Sequence, residues 1–317
     1  MKTQPRYSDA CLTDNIHAVV FFDTAVQFSL DEVVAALNEK HGEIGWSLGS
    51  SDSVEIDTAA PVLAALHCRA HRTNCEVGFS SVPGRMQGDL SVPVKRSTLF
   101  TGAEAAVEFH QSYLCITANS TAPAKADRFV AAAIVTCVSA LFAANPNCLG
   151  IYFPSADLIS SPEQWRRAAS VAALGEWPLE SWVSFHISRV HNSEAAPPEY
   201  SCGSIGLVSF TGHEVSFPLA PVTPPLAAKQ VYGACYLLLK NADPFKDGEF
   251  IAINAEDDDR HLLLRHLDEG AFGAQSDTWM LIHPDSSLAK DTHFGTERVP
   301  DASNTARIKA KHSSKIV

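Results

Sequence analysis

The chain has 317 residues, of which 46% are hydrophobic and 9% aromatic, so it can form one large globular domain or two ordinary ones. Its 36 acidic and 24 basic residues give a formal net charge of −12. An extended phosphate-binding surface needs clustered Lys and Arg, so we expect no nucleic acid partner. The longest apolar run, Phe129 to Ala144, is Ala-rich and follows charged residues, which predicts a helix of a globular domain. We expect no membrane partner.

The N-terminal residues lack the apolar stretch of a secretory signal, which predicts a cytoplasmic protein. The cysteines are scattered without a CxxC pair and mostly lie in apolar runs, so we expect free, buried thiols. They are Cys11, Cys68, Cys75, Cys115, Cys137, Cys148, Cys202 and Cys235.

A first predicted subdomain covers residues 16–102. The apolar run Ile16 to Phe22 predicts a strand, and Ser29 followed by Glu32 has the spacing of a helix-capping box. Further β-like runs follow at Val54–Ile56, Val62–Cys68 and Cys75–Ser80. A stretch rich in Gly and Pro then leads to Gly102, where we place a boundary.

A second predicted subdomain covers residues 110–253. It starts with a strand at Ser112–Ala118 and the helix that contains Phe129, and Ser161-Pro162-Glu163-Gln164 then predicts the start of another helix. Period-two patterning places Val183, Phe185 and Ile187 on the covered face of a strand.

The same subdomain continues with two strands, Ser204–Phe210 and His213–Phe217, joined at Thr211-Gly212. The helix that follows buries Ala227, Val231, Ala234, Cys235 and Leu238 on one face, and a turn is expected at Asp247-Gly248. Residues 254–317 read as an acidic extension with a disordered basic tail. The sequence thus predicts an α+β fold of two related halves, with mixed or antiparallel sheets covered by amphipathic helices.

Two local patterns suggest chemistry but have the wrong context. Gly45-Trp46-Ser47-Leu48-Gly49 fits the nucleophile-elbow pattern, yet a helix precedes it where a strand is needed, so an ordinary loop is the better interpretation. His67, Cys68, His71 and Cys75 could ligate zinc. Because His67 and Cys68 are consecutive in a predicted strand, they point to opposite faces, and a polar strand edge with buried cysteines is favoured.

The remaining candidate site combines His186 with the pair His213 and Glu214 on a neighbouring predicted strand. These side chains could converge as an acid-base or binding site. Partly exposed histidines are common on sheets, so we treat the three as candidate binding residues and assign no catalytic residue, no metal ligand and no cofactor. The acidic run Glu256–Asp259 lacks the spacing of a calcium loop and is interpreted as a solvated face.

Several short segments in a fixed order resemble a bacterial family known as domain-of-unknown-function family 4261. They are Leu149–Tyr152 before Ser161–Glu163, then Pro178–Val183, Gly206–Glu214 and Lys246–Gly248. The resemblance covers residues 111–253 and, more loosely, 17–37. It implies a fold and no reaction, because the family has no established catalytic residues to carry over.

The sequence favours a non-catalytic protein-binding module over an enzyme. The absence of a catalytic constellation and the acidity suggest a basic protein partner, such as a toxin or a secretion component. The chain would then be an immunity or accessory protein of a bacterial toxin or secretion system, with type VI secretion as one setting. The alternatives are a hydrolase or small-ligand enzyme that uses His186, His213 and Glu214, and a structural component that forms oligomers.

Overall fold

The computed structural model divides the chain into two compact units, residues 1–184 and 185–317. The residues that it describes are 15–41, 47–50, 62–70, 73–120, 125–190, 197–241, 245–253, 261–268, 277–286 and 288–289. Within these residues, each unit contains one β-sheet with helices packed on it. The predicted α+β class, with mixed or antiparallel sheets, is confirmed.

The sheet of the first unit has seven strands in the order β2-β3-β4-β5-β1-β6-β7, and all neighbouring pairs are antiparallel. The strands are β1 Asn15–Phe22, β2 Ser47–Ser50, β3 Val62–Ala70, β4 Thr73–Pro83, β5 Ser112–Ser120, β6 Cys148–Phe153 and β7 Leu158–Ser160.

The helices of this unit are α1 Leu30–His41, α2 Ser91–Arg96, α3 Ala103–Phe109, α4 Lys125–Phe142, α5 Pro162–Ala173 and α6 Leu179–Trp182. Helix α4 packs on β1 and β5, while α3 joins Val19, Phe21 and Tyr152 in a separate apolar cluster. From Ile16 to Phe22, β1 is therefore buried except at the half-buried His17, which explains its mainly apolar sequence.

Buried polar groups of α4 are paired. The indole nitrogens of Trp165 and Trp182 donate hydrogen bonds to the hydroxyls of Ser139 and Thr136, at 2.6 and 2.9 Å. The predicted start of α5 is confirmed in detail: Ser161 and Gln164 form a reciprocal capping box, and Pro162 is the first helical residue.

The second unit has a mixed sheet in the order β11-β12-β13-β10-β9-β8. Its strands are β8 Ser184–Val190, β9 Glu199–Ile205, β10 Glu214–Ala220, β11 Phe250–Ile251, β12 Leu262–Leu267 and β13 Thr278–Ile282, and its helices are α7 Val208–Thr211 and α8 Pro224–Lys240. Strand β10 pairs parallel with β13 and antiparallel with β9. Helix α8 packs on β9 and β10 through the predicted face, and all five of its predicted residues are buried.

The structure corrects the predicted subdomain boundaries. Strands β4 and β5 are neighbours in one sheet, so the boundary placed between residues 102 and 110 falls inside a unit. The stretch before it contains α2, and α3 lies between residues 102 and 110. Strands β12 and β13 lie beyond residue 253, yet they pair with β11 and β10 and complete the second sheet. The sequence prediction assigned no strands to this segment, because its two strands are short and are separated by polar residues.

Other local predictions also change. Ser47–Ser50 is a strand rather than a loop. The predicted strand Ser204–Phe210 ends at Ile205, and α7 follows it as a short helical turn. Ile187, expected on a covered face, is 47% exposed because β8 lies at the end of the sheet. Among the described helices, none combines the length and apolarity needed to cross a membrane.

Candidate functional site

His186 lies on β8 with its imidazole against the backbone of β9. A Cβ atom added to Gly203 would come within 2.5 Å of His186 Cε1, so the ring occupies the space that the missing side chain leaves. Gly203 is paired with Ser216 of β10. The structure thus places His186 as an exposed residue that packs on a glycine.

Glu214 is the first residue of β10, and its carboxylate is held by donors from the preceding chain. Oε2 accepts a hydrogen bond from Ser204 Oγ at 2.5 Å. Oε1 accepts from the backbone N–H groups of Gly206 and Val208, at 2.7 and 3.1 Å. Burial raises the pKa of Glu214, against the effect of these hydrogen bonds. The carboxylate therefore acts as a cap for the turn that begins α7.

His213 is fixed by a compact turn in front of β10. Its backbone N–H donates to Thr211 Oγ1, and its ring Nδ1 lies 3.0 Å from the Thr211 carbonyl oxygen. A carbonyl can only accept, so Nδ1 carries the proton and Nε2 has the free lone pair. Gly212 between them has φ 78°, a conformation that favours glycine. The turn sets both the position and the tautomer of His213.

The register of β10, β13 and β12 brings two further residues, His266 and Asp277, close to His213. Glu214 pairs with Thr278 in the parallel ladder, so His213 and Asp277 directly precede the first pair. His266 of β12 pairs with Trp279 of β13. Because side chains alternate along a strand, His266, Trp279 and Asp277 share one face.

The three polar side chains form a compact cluster, which we call the His-His-Asp cluster: His213, His266 and Asp277. One ring nitrogen of each histidine and one carboxylate oxygen of Asp277 all lie within 4.8 Å of one another, and all three residues are half-buried. The two imidazole centroids are 5.3 Å apart. The buried indole of Trp279 packs 4.9 Å from His266 and 6.1 Å from His213, between ring centroids.

His266 is held at its backbone, and its ring lies near an exposed carboxylate. Its backbone N–H donates to Asp247 Oδ1 at 2.8 Å, from the turn in which Gly248 has φ 78° as the predicted Asp247-Gly248 turn requires. Its Nδ1 lies 3.5 Å from Asp268 Oδ1. A carboxylate near Nδ1 favours the proton on that nitrogen, which leaves Nε2 as the lone-pair donor.

The structure thus separates the three predicted site residues. His213 joins His266 and Asp277, Glu214 caps a turn, and His186 packs on Gly203. Consecutive strand residues point to opposite sides, so the alternation rule alone disfavoured a joint role for His213 and Glu214. The sequence prediction missed His266 and Asp277 because they lie beyond residue 253. The signals that could have found them are the apolar runs Leu262–Leu264 and Trp279–Ile282, each flanked by one of these residues.

The two local patterns singled out in the first unit are not tested as chemical sites, because the side chains concerned are not described. His67 and Cys68 lie in β3 and Cys75 in β4, but their side chains and all of His71 lie outside the described residues. The same holds for Gly45, Trp46 and the side chain of Ser47. The acidic run at residues 256–259 also lies outside them.

The comparisons with known proteins add one structural likeness. No protein-family model and no curated protein matches the chain. The second unit is therefore characterised by its own structure, an α+β arrangement that carries the His-His-Asp cluster of potential metal ligands. Among solved structures, a SUFU (suppressor of fused protein) homolog from Neisseria gonorrhoeae FA 1090 is similar, with 16% identity over 38% of this chain and 69% of that chain and a TM-score of 0.26. A likeness of this size supports no inference about function.

Proposed function

We propose that the protein is a non-catalytic protein-binding module whose contact surface is the outer edge of β8. The observation that carries the proposal is the exposure of this strand. Four consecutive residues, 186 to 189, are exposed, so the described residues leave this part of the strand uncovered on both faces. Among the strands that the structure describes, β8 is the last of its sheet.

An edge strand offers backbone donors and acceptors to a further strand. Proteins commonly blunt such edges with charge, proline or a covering helix, because an open edge pairs with other chains. In β8 the side chains at the middle of the exposed stretch are Ile187 and Ser188, and Arg189 is its only Lys or Arg. An extended segment of a partner could pair with this edge and place an apolar side chain against Ile187, as in recognition by strand addition.

The net charge of −12 supports a basic partner, since opposite charges speed encounter and reject acidic competitors. The finer proposal is that this partner is a toxin or a secretion component, and that the chain is its immunity or accessory protein. It rests on the charge and on the resemblance to family 4261, whose membership we also propose.

The alternative enzyme hypothesis needs His186, His213 and Glu214 in one cleft. The described structure instead buries Glu214 in a turn, where its oxygens are already used by three donors. A carboxylate engaged in this way is poorly placed to move a proton to or from a substrate. The geometry therefore favours binding over hydrolysis by these residues.

The test uses the tagged full-length chain and two matched variants. Ile187→Lys places a charge on the exposed strand, and Leu174→Lys places the same charge on an 80% exposed leucine of the first unit. The protein is purified from its own host, and the co-purifying protein is then produced alone and titrated against each variant. We expect a basic partner that binds wild type and Leu174→Lys equally and binds Ile187→Lys at least about tenfold more weakly.

Three outcomes would contradict the proposal. One is the absence of any stoichiometric protein partner. Another is a partner that binds Ile187→Lys as tightly as wild type, which would place its contact elsewhere. The third is a homodimer in sedimentation that Ile187→Lys dissociates, because the edge would then serve a second copy of this chain. If the partner is toxic, co-expression of wild type and not of Ile187→Lys should protect the host.

A further inference from the structure

We infer that His213, His266 and Asp277 bind one divalent transition metal ion of the zinc class. This inference is independent of the proposed protein binding, since its ligands lie on or next to β12, β13 and β10 and none lies on β8. The donor set is two imidazoles and one carboxylate, which suits zinc and its first-row neighbours, whereas Mg²⁺ and Ca²⁺ prefer all-oxygen sets.

The spacing of the donors is close to that of a metal site. Zinc binds imidazole nitrogen and carboxylate oxygen at about 2.0–2.2 Å, so two ligands of a tetrahedral ion lie roughly 3.4 Å apart. The donor atoms of the cluster lie within 4.8 Å of one another. Closing this difference takes about 1 Å of side-chain movement, which rotation about side-chain torsions supplies while the strands stay in register.

The ligands are oriented by their own neighbours, as in established metal sites. The Nδ1 of His213 is directed at the Thr211 carbonyl, and the Nδ1 of His266 lies beside the Asp268 carboxylate. Metal-ligating histidines typically direct the second ring nitrogen to such an acceptor, which fixes the tautomer and strengthens the bond to the metal. The contact is a hydrogen bond for His213, and for His266 it is a 3.5 Å approach to an exposed carboxylate.

The ligands come from three adjacent strands or their ends, because β12, β13 and β10 are neighbours in the sheet. A bound ion would therefore link the segments before β10 and β13 to the C-terminal half of β12. Three protein ligands leave at least one coordination position for water or another group. The site differs from the sequence candidate at His67, Cys68, His71 and Cys75, which would supply thiolates.

The experiment titrates the metal-free full-length protein with Zn²⁺ by calorimetry and with Co²⁺ by absorption spectroscopy. The variants are His266→Ala, Asp277→Asn and, as a matched control, His186→Ala, which removes an exposed histidine of the same unit. We expect one equivalent of Zn²⁺ to bind wild type and His186→Ala alike. Loss of a residue that only supports a metal ligand costs roughly 10–100-fold in metal affinity. His266→Ala and Asp277→Asn remove a ligand itself, so their affinity for Zn²⁺ should fall at least about tenfold.

Two spectroscopic signals locate the ion. Co²⁺ in this site should show d–d bands that His266→Ala and Asp277→Asn lose, without thiolate charge transfer from the same equivalent. Co²⁺ should also quench the fluorescence of Trp279, whose indole lies 4.9 Å from the His266 ring, so the quenching should fall in Trp279→Phe. Far-UV circular dichroism of Asp277→Asn, which keeps the size of the side chain, shows whether a loss of binding reflects unfolding.

The inference is overturned if wild type binds no Zn²⁺, or if a well-folded Asp277→Asn or His266→Ala binds it as tightly as wild type. A thiolate band that accompanies the first equivalent would assign the ion to cysteines and would equally overturn it. The Ile187→Lys variant should keep the metal, so a failure of the protein-binding proposal would leave this result unchanged.

Discussion

Ser204 and Glu214 are joined by a hydrogen bond of 2.5 Å between hydroxyl and carboxylate, across neighbouring strands β9 and β10. The same hydroxyl accepts a hydrogen bond from the Val215 N–H at 2.8 Å. The second carboxylate oxygen binds the N–H groups of Gly206 and Val208. Glu214 thus supplies the hydrogen-bond acceptors for the segment that connects the two strands. The effect of removing these acceptors on stability can be measured.

Glu214→Ala should destabilise the second unit by about 2–4 kcal/mol, because it leaves two backbone N–H groups and a hydroxyl without their acceptor. Glu214→Gln keeps one carbonyl oxygen for the N–H groups and should cost less. Urea unfolding measures the free energy, and amide hydrogen exchange at Gly206 and Val208 localises the loss. Glu249→Ala removes an exposed carboxylate and should stay within about 0.5 kcal/mol of wild type. Equal losses for the Ala and Gln variants would contradict this role.

The buried carboxylate also predicts a pH dependence. Burial raises the pKa of Glu214 above its ordinary value of 4.5, so the folded state holds the proton more tightly than the unfolded state. The contribution of Glu214 to stability is then largest below pH 4.5 and decreases as pH rises through 4.5 toward the folded pKa. The stability of Glu214→Gln relative to wild type should therefore rise over this window. Parallel pH profiles of the two proteins would refute the shift.

His110 gives the opposite pH dependence in the first unit. Its Nε2 accepts a hydrogen bond from the Met86 N–H at 2.8 Å, and its Nδ1 lies 2.8 Å from the Val107 carbonyl. The buried ring is neutral, and desolvation lowers its pKa below the ordinary 6.5. Stability from this ring is complete above pH 6.5 and is lost as pH falls through the folded pKa.

His110→Phe should therefore cost about 1–3 kcal/mol at pH 7.5, mainly through the unpaired Met86 N–H. The difference from wild type should shrink as the pH is lowered toward 5, because wild type alone pays for protonating Nε2. Denaturant unfolding of both proteins across this range measures the difference. A difference that stays constant or grows at low pH would show that His110 does not titrate in this way.

Local signals predicted local structure well, and the reasons are physical. The reciprocal bonds of Ser161 and Gln164 involve residues three apart, so the sequence contains all the groups that define the start of α5. The buried face of α8 follows from helical periodicity in the same way. Such features depend on neighbours along the chain.

The site depended on pairing between distant strands, which the sequence pattern does not encode. His213 meets Asp277 because β10 and β13 pair in parallel, although 64 residues separate them in number. Glu214 was predicted beside His213 because it is adjacent in sequence, yet its carboxylate binds the turn at Gly206. The exposure of Ile187 likewise follows from the place of β8 in the strand order, which periodicity alone cannot supply.

The described buried cysteines should be unreactive in the native protein. Cys137, Cys148, Cys202 and Cys235 are buried thiols outside any disulfide, as the sequence predicts, while Cys115 is half-buried. Burial raises the pKa of Cys148 to about 12 and that of Cys202 to about 11, and it also raises the pKa of Cys235. Since the thiolate is the nucleophile, both access and ionisation oppose reaction.

Site-resolved iodoacetamide labelling at pH 8 tests this expectation. Peptides that contain Cys148, Cys202 or Cys235 should remain unlabelled in the native protein and become labelled after unfolding in urea. In addition to burial, the Glu214 carboxylate raises the pKa of the Cys235 thiol, and the Ser204 hydroxyl lowers it. Glu214→Ala removes the carboxylate and loosens the turn that it holds, so this variant should speed the labelling of Cys235. Cys148, in the other unit, is the internal control and should keep its wild-type rate. Native labelling of Cys202 at the rate of a free thiol would contradict the buried arrangement of β9 under α8.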